Sequence, residues 1–237
     1  MDITVMSFNI QHCRNFMTRE IDYDSFVEEI RKRNADIIGL NEVRGKGDDP
    51  RYEDQARILA EKLGYYCYFA RAIFVKGNNP YGNAILSKYP ILSAETIMIP
   101  DPDPHGYDGY YESRCILKAS IDVCGGLNVL VSHFGLNPDE QENAVKSVLE
   151  NMEQEKSILM GDFNMAPDQP MIKRVREGLY DTADLFDENL LSWPSDQPQI
   201  RIDYMFAPRD IRVKAADIPA DIVSDHRPYV VIISTED

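Results

Sequence analysis

What most constrains this chain is how often its apolar runs are cut short. Nine strand-length runs, at residues 3–10, 36–43, 66–75, 83–87, 115–123, 127–134, 157–162, 200–207 and 228–234, are rich in β-branched and aromatic residues. Gly, Pro or Asn bounds them. Helical periodicity is confined to three segments. Phe26, Val27 and Ile30 share a face in 24–34, and the segment 52–63 stops at Gly64. In 138–152, Ala144, Val145, Val148, Leu149 and Met152 form an apolar stripe behind Pro138, Asp139 and Glu140, which suit a helix N-terminus. Many strands with few helices call for sheets packed on one another with helices outside.

No linker, repeat or low-complexity stretch divides the 237 residues, so residues 1–237 are read as one domain. An apolar fraction of 43% is enough for a sizeable core. The net charge of −15 makes a repulsive surface that is poorly suited to wrapping a long polyanion, so nucleic acid is a disfavoured partner. A phosphate substrate stays open, because a metal ion can supply local positive charge. Cys13, Cys67, Cys115 and Cys124 form no CxxC pair and read as buried free thiols of a reducing compartment. MDITVMSFNI starts directly on a strand pattern without a signal-peptide pattern, and no run reaches membrane-spanning length. The expectation is a cytoplasmic monomer with no obligatory protein partner.

Polar residues end or interrupt the apolar strands in six places. They are Ser7-Phe8-Asn9, Asn41-Glu42-Val43, Ser132-His133-Phe134, Asp162-Phe163-Asn164, Arg201-Ile202-Asp203 and Ser224-Asp225-His226. Strand alternation puts Asp162 and Asn164 on one face and Phe163 on the other. Read alone, GDFN is as good a turn as a site. Read together, the six suggest side chains converging at one end of a sandwich. Carboxylates and amides are the ligand set of a hard cation such as Mg²⁺, and two imidazoles beside them suit phosphate stabilisation and proton transfer.

The ordered series SFNI, NEV, VSHFGL, GDFN, RIDYMF and SDHRP resembles the endonuclease/exonuclease/phosphatase family from Ser7 to Pro228. That resemblance implies a deoxyribonuclease-I-like four-layer α/β/β/α sandwich, with two mixed sheets face to face and helices outside. It also implies Mg²⁺-dependent phosphoester hydrolysis by in-line attack of water, with Mn²⁺ as a possible substitute. Glu42 resembles the principal metal-ligating carboxylate, with Asn9 beside it as a ligand or support. Asp225 matches a further metal-site carboxylate, although alternation in an extended strand would turn it away from His226. Asp162 resembles the water-orienting or general-base carboxylate, and Asn164 its partner amide. His226 resembles the imidazole that meets the scissile phosphate, with Asp203 orienting it and His133 as the second histidine. Either Asp162 or His226 serves as the base. Arg114 reads as a phosphate clamp, and Asn83 in GNAILS as a residue lining the substrate site. Gln11 stands where abasic-site endonucleases carry an acid, which weakens a DNA-repair reading.

Residues 99–114, IPDPDPHGYDGYYESR, form a long loop beside Arg114, because three prolines forbid a continuous strand. Loops on a rigid scaffold usually set specificity. Tyr107, Tyr110 and Tyr111 are read as packing this loop down in preference to stacking on a base or sugar. Three functions compete: hydrolysis of a small-molecule or lipid-headgroup phosphoester, low-specificity nuclease action, and a non-catalytic binding module of the same fold. Compact length and acidic charge favour the first, and the complete set of acids and imidazoles argues against the third.

Overall fold

The computed structural model describes residues 1–186 and 190–234. In chain order its elements are β1 (Asp2–Asn9), α1 (Tyr23–Lys32), β2 (Ile37–Arg44), α2 (Gln55–Leu63), β3 (Tyr66–Val75), β4 (Asn79–Ser87), β5 (Ile91–Met98) and β6 (Cys115–Ile121). There follow β7 (Leu127–His133), α3 (Pro138–Asn151), β8 (Ser157–Asp162), α4 (Pro170–Val175), β9 (Tyr180–Asp181), β10 (Asp203–Ala207), β11 (Arg212–Asp217) and β12 (Tyr229–Ser234). The strands form two six-stranded sheets, ordered β11-β12-β1-β2-β4-β3 and β5-β6-β7-β8-β10-β9. Each sheet is mixed. Its single parallel pair, β1 with β2 or β7 with β8, sits near the middle.

Three apolar clusters fix the layers. Val5, Ile37, Ile85, Val131, Met160 and Val231 fill the space between the sheets. Phe26 and Ile30 of α1 and Leu59 of α2 cover the far face of the first sheet. Val145 and Val148 of α3 and Ile172 of α4 cover the far face of the second. Burying each such side chain contributes about 1.5–3 kcal/mol, and that is what seats short helices on the sheets. The result is the expected four-layer α/β/β/α sandwich.

Two glycines are dictated by close approach. A β-carbon on Gly39 would lie 2.8 Å from Met160 Sδ and 2.9 Å from Val131 Cγ2, both from the facing sheet. Gly161 has φ +145°, and a β-carbon there would meet the Ser132 carbonyl oxygen at 1.8 Å.

The helices start where the caps place them. Asp22 accepts from Ser25 N at 3.2 Å, and the Glu140 carboxylate accepts from Asn137 N at 3.1 Å behind Pro138. Four elements escape the pattern reading. β5 and β11 are edge strands with mixed, largely exposed faces, β9 has two residues, and α4 has six. The run at 200–207 becomes a strand only at Asp203, because Arg201 turns aside to pair with Asp181 at 2.7 Å. Cys67 is exposed, against the expectation that all four thiols are buried, because it lies on the edge strand β3.

Candidate active site

The sheet registers assemble the site. Asp162, the last residue of β8, pairs with His133 of β7 on one side and Asp203 of β10 on the other. In the facing sheet Asn9, the last residue of β1, pairs with Asn41 inside β2. β1, β7 and β8 therefore deliver their last residue, β10 its first and β2 the inner residue Asn41 to one end of the sandwich. Between Leu40 and Val43 the β2–β4 ladder is irregular, and Glu42 takes φ 60°. Such a bulge re-aims a side chain at a sheet rim.

Asp162 is the hub. It is 1% exposed, and its backbone N–H donates to Asn41 Oδ1 at 2.9 Å. Its Oδ1 accepts from Asn164 N at 2.9 Å. Its Oδ2 accepts from Asn9 Nδ2 at 3.0 Å and lies 3.5 Å from His133 Nε2 and 3.6 Å from His226 Nε2. The same Asn9 amide donates to Glu42 Oε1 of its own sheet at 3.0 Å, so its bond to Asp162 links Glu42 to the second sheet.

His226 Nδ1 lies 2.8 Å from Asp203 Oδ2, and Asp203 is fully buried. The segment carrying Asp225 and His226 is irregular chain ahead of β12, so strand alternation does not govern it. It is held instead by residues 192–195. Ser195 donates through its backbone to Asp225 O and through Oγ to Ser224 O, and Ser192 Oγ accepts from Asp203 N at 3.3 Å. Asn164 also differs from the alternation reading. β8 has ended, Asn164 adopts φ 51°, and its amide reaches the cleft through a turn.

Protonation follows from this geometry. Burial pushes the Asp162 carboxyl up to about 7, with Asp203 adding to that and the charge of His226 opposing it. Burial alone would lower His226, but Asp203 and Asp162 outweigh it and raise the ring to about 10. Burial, together with the charges of Arg114 and His226, pushes His133 well below its ordinary value. The Asn164 amide donates to Phe134 O at 3.1 Å, which fixes its orientation, and it contacts His133 Nε2 at 3.1 Å. A neutral His133 therefore accepts at Nε2 and carries its proton on Nδ1.

The remaining expected residues divide. Glu42 faces the cleft, with Tyr81 OH donating to its Oε2 at 2.9 Å. Asp225 stands at the rim, accepting from Gln11 Nε2 at 2.9 Å and from Ser224 Oγ at 3.1 Å. Arg114 is tied to Glu112 Oε1 at 3.0 Å, and its Nε is buried without a partner. Asn83 lies beneath the cleft floor, 2% exposed, donating to Cys115 O and accepting from Asn41. Its amide supports the floor and does not reach a substrate. Three residues complete the site without having been given a role there: Asn41, which bridges the sheets; Tyr81, which steadies Glu42; and Gln11, which steadies Asp225. Asn41 and Gln11 carry a sequence signal, being amides one and two positions from a site residue. Tyr81 carries none.

The donors suit a hard cation. Glu42, Asp162, Asp203 and Asp225 supply carboxylate oxygens, no thiolate is among them, and Asp203 Oδ1 is buried with no hydrogen-bond partner. Asp162, Asp203 and His226 offer atoms within 4.8 Å of one another. A protonated His226 has no lone pair to give, so that trio is a proton-holding chain, and Glu42, supported by Asn9, is the better cation ligand.

Residues 6–226, nearly the whole sandwich, match the Endonuclease/Exonuclease/phosphatase family. The chain belongs to that family. Its members are generally phosphoester hydrolases that depend on a divalent metal. Protein angel homolog 2 of Homo sapiens is 24% identical over 209 residues, which covers 75% of this chain and 37% of that protein. The chain thus spans little more than a third of this curated relative. An endonuclease/exonuclease/phosphatase from Beutenbergia cavernae DSM 12333 superposes with a TM-score of 0.80 at 22% identity, covering 98% of this chain and 71% of that one. The mannosyl-6-phosphatase Bt3783 of Bacteroides thetaiotaomicron VPI-5482 gives 0.77 at 18% identity, covering 98% and 99%. At these identities the structural likeness establishes the family fold. Among the described residues no helix is long and apolar enough to cross a membrane.

Proposed function

We propose that this family member hydrolyses a small-molecule phosphoester with Mg²⁺ or Mn²⁺ as cofactor, water attacking in line with the leaving alcohol. The observation that carries this reading is Asp162 Oδ2, a buried carboxylate oxygen that accepts from Asn9 and lies beside the rings of His133 and His226. A carboxyl poised near 7 exchanges its proton at neutral pH, as a general base must. His226 already holds a proton, so it is assigned to stabilising charge on the scissile phosphate and Asp162 to accepting the proton of water. Asp203 fixes the His226 ring through Nδ1 and leaves Nε2 directed at the cleft. Neutral His133 and Asn164 orient the water or a phosphate oxygen from the opposite wall.

Glu42 would hold the cation, with Asn9 and Asp225 beside it. Bound there, the cation supplies the Lewis acidity that offsets negative charge on the phosphate. Arg114 adds a positive charge whose field reaches both His133 and Tyr81. The purified protein should hydrolyse bis(p-nitrophenyl) phosphate with Mg²⁺ or Mn²⁺ and lose that activity with EDTA or on His226→Ala. Inertness toward every phosphoester with every divalent ion would end the proposal.

A further inference from the structure

The loop at residues 99–114 is docked, not free. Asp139 at the start of α3 accepts from Gly106 N at 2.9 Å and from Tyr111 OH at 2.8 Å. Asn137 Nδ2 donates to Tyr110 O, Glu112 N donates to Glu140 Oε1, and Asn143 Nδ2 donates to Pro100 O. His105 stacks on Tyr111 with ring centroids 3.7 Å apart and planes at 3°. Tyr111 therefore packs the loop, as its sequence suggests.

Tyr107 and Tyr110 do not. They are 52% and 66% exposed on a loop that is otherwise fastened down. The Tyr110 hydroxyl donates to Glu112 Oε2 at 3.1 Å, while Glu112 Oε1 pairs with Arg114 at 3.0 Å. A line of exposed ring, carboxylate and guanidinium thus runs inward from the rim. Carboxylates accept several hydrogen bonds, so two neighbours leave Glu112 lone pairs for other donors.

We propose that Tyr110 and Glu112 are specificity residues that bind the alcohol part of the substrate, and that this part is a neutral ring polyol such as a sugar. The inference rests on the phosphoesterase reading above. Arg114 takes the phosphate, Glu112 accepts hydroxyl hydrogens a few bonds away, and Tyr110 offers its face to the C–H edges of the ring. Glu112 also repels a second phosphate or carboxylate, so polyanionic esters are excluded. Specificity of this kind needs a preorganised surface, and the hydrogen bonds to α3 provide one.

Calorimetric titration in EDTA, where no probe is turned over, tests this binding directly. The probes are glucose 6-phosphate, ribose 5-phosphate and inositol 1-phosphate, each compared with inorganic phosphate. At least one should bind the wild type about tenfold or more tightly than inorganic phosphate, as two or three hydrogen bonds allow. That ratio should fall toward one in Tyr110→Ala, where an exposed side chain is removed without endangering the fold, and in Glu112→Gln. Equal affinity for all four probes in the wild type overturns the inference. So does a ratio that persists in both variants, or one that survives because every affinity falls alike. Hydrolysis of bis(p-nitrophenyl) phosphate with Mg²⁺ is measured in parallel. If it is present while the ratio is one, the specificity proposal fails alone; if it is absent, the underlying reading fails.

Discussion

Asn164 donates its backbone N–H to Oδ1 of Asp162 at 2.9 Å, so the carboxylate that closes β8 also closes the turn after it. The two oxygens divide the work. Oδ1 shapes the backbone and Oδ2 faces the cleft.

Replacing Asp162 with Asn preserves the turn, because an amide oxygen accepts from Asn164 equally well, but it removes the base. The rate on bis(p-nitrophenyl) phosphate should fall about 10²–10⁴-fold. Melting in EDTA at about pH 8 should change little, because relief of a buried charge offsets the loss of the acceptor that Asn9 Nδ2 uses. A variant that keeps more than about a tenth of the wild-type rate would remove Asp162 from its assigned role.

The pH dependence has a definite sign. Folded Asp162 holds its proton up to about 7 against an ordinary 3.8, and folded His226 up to about 10 against 6.5. Each therefore favours the fold fully below its ordinary value. The contribution of Asp162 is lost as pH rises through about 7, and that of His226 as pH rises through about 10. The melting temperature of the metal-free wild type should fall through that window, and more steeply than that of Asp162→Asn. With Mg²⁺ present, the acid limb of the rate profile should lie at or below about 7, because a nearby cation favours the carboxylate.

Cation affinity should depend on the groups around Glu42. Glu42→Gln should raise the Mg²⁺ concentration for half-maximal rate by more than about tenfold, and Tyr81→Phe by a smaller factor, because it removes only the hydrogen bond to Oε2. Titrating the rate with Mg²⁺ separates the two, and identical curves for Glu42→Gln and the wild type would place the cation elsewhere.

Asn41→Leu tests the bridge between the sheets. It leaves Asp162 N, Asn83 Oδ1 and the Ser132 carbonyl without their present partner. Unsatisfied buried groups cost about 1–3 kcal/mol each, so denaturant melts should show a loss of at least about 2 kcal/mol. The rate should fall as well, because Asp162 is no longer held at its backbone.

Much of this could be read before any coordinates. The convergence of Glu42, Asp162, Asp203, His133 and His226 follows from polar residues placed at the ends of apolar runs, and the family and its four-layer sandwich from the resemblance of the ordered motifs SFNI to SDHRP. What escaped was set by contacts distant in sequence. Tyr81 looks like any aromatic residue in a strand until the β2 bulge turns Glu42 toward it. Asn83 resembles a substrate contact until Asn41 and Cys115 are seen to use its amide. β5 and β11 are edge strands with half-exposed faces, so neither periodicity marks them. The turn reading and the site reading of GDFN, which look like alternatives in sequence, are both realised in the same carboxylate.

Gly39 lies outside the cleft and touches nothing that reacts, yet it governs how far apart the reacting groups stand. Asn9 reaches Asp162 from the opposite sheet at 3.0 Å, and a hydrogen bond weakens when stretched by only a few tenths of an ångström. A methyl group on Gly39 would act as a shim beneath that contact, pressing on Met160 and Val131. Catalytic distance in this protein is therefore partly a thickness, set by the core between the sheets, and variants that never meet the substrate belong among those that can silence it.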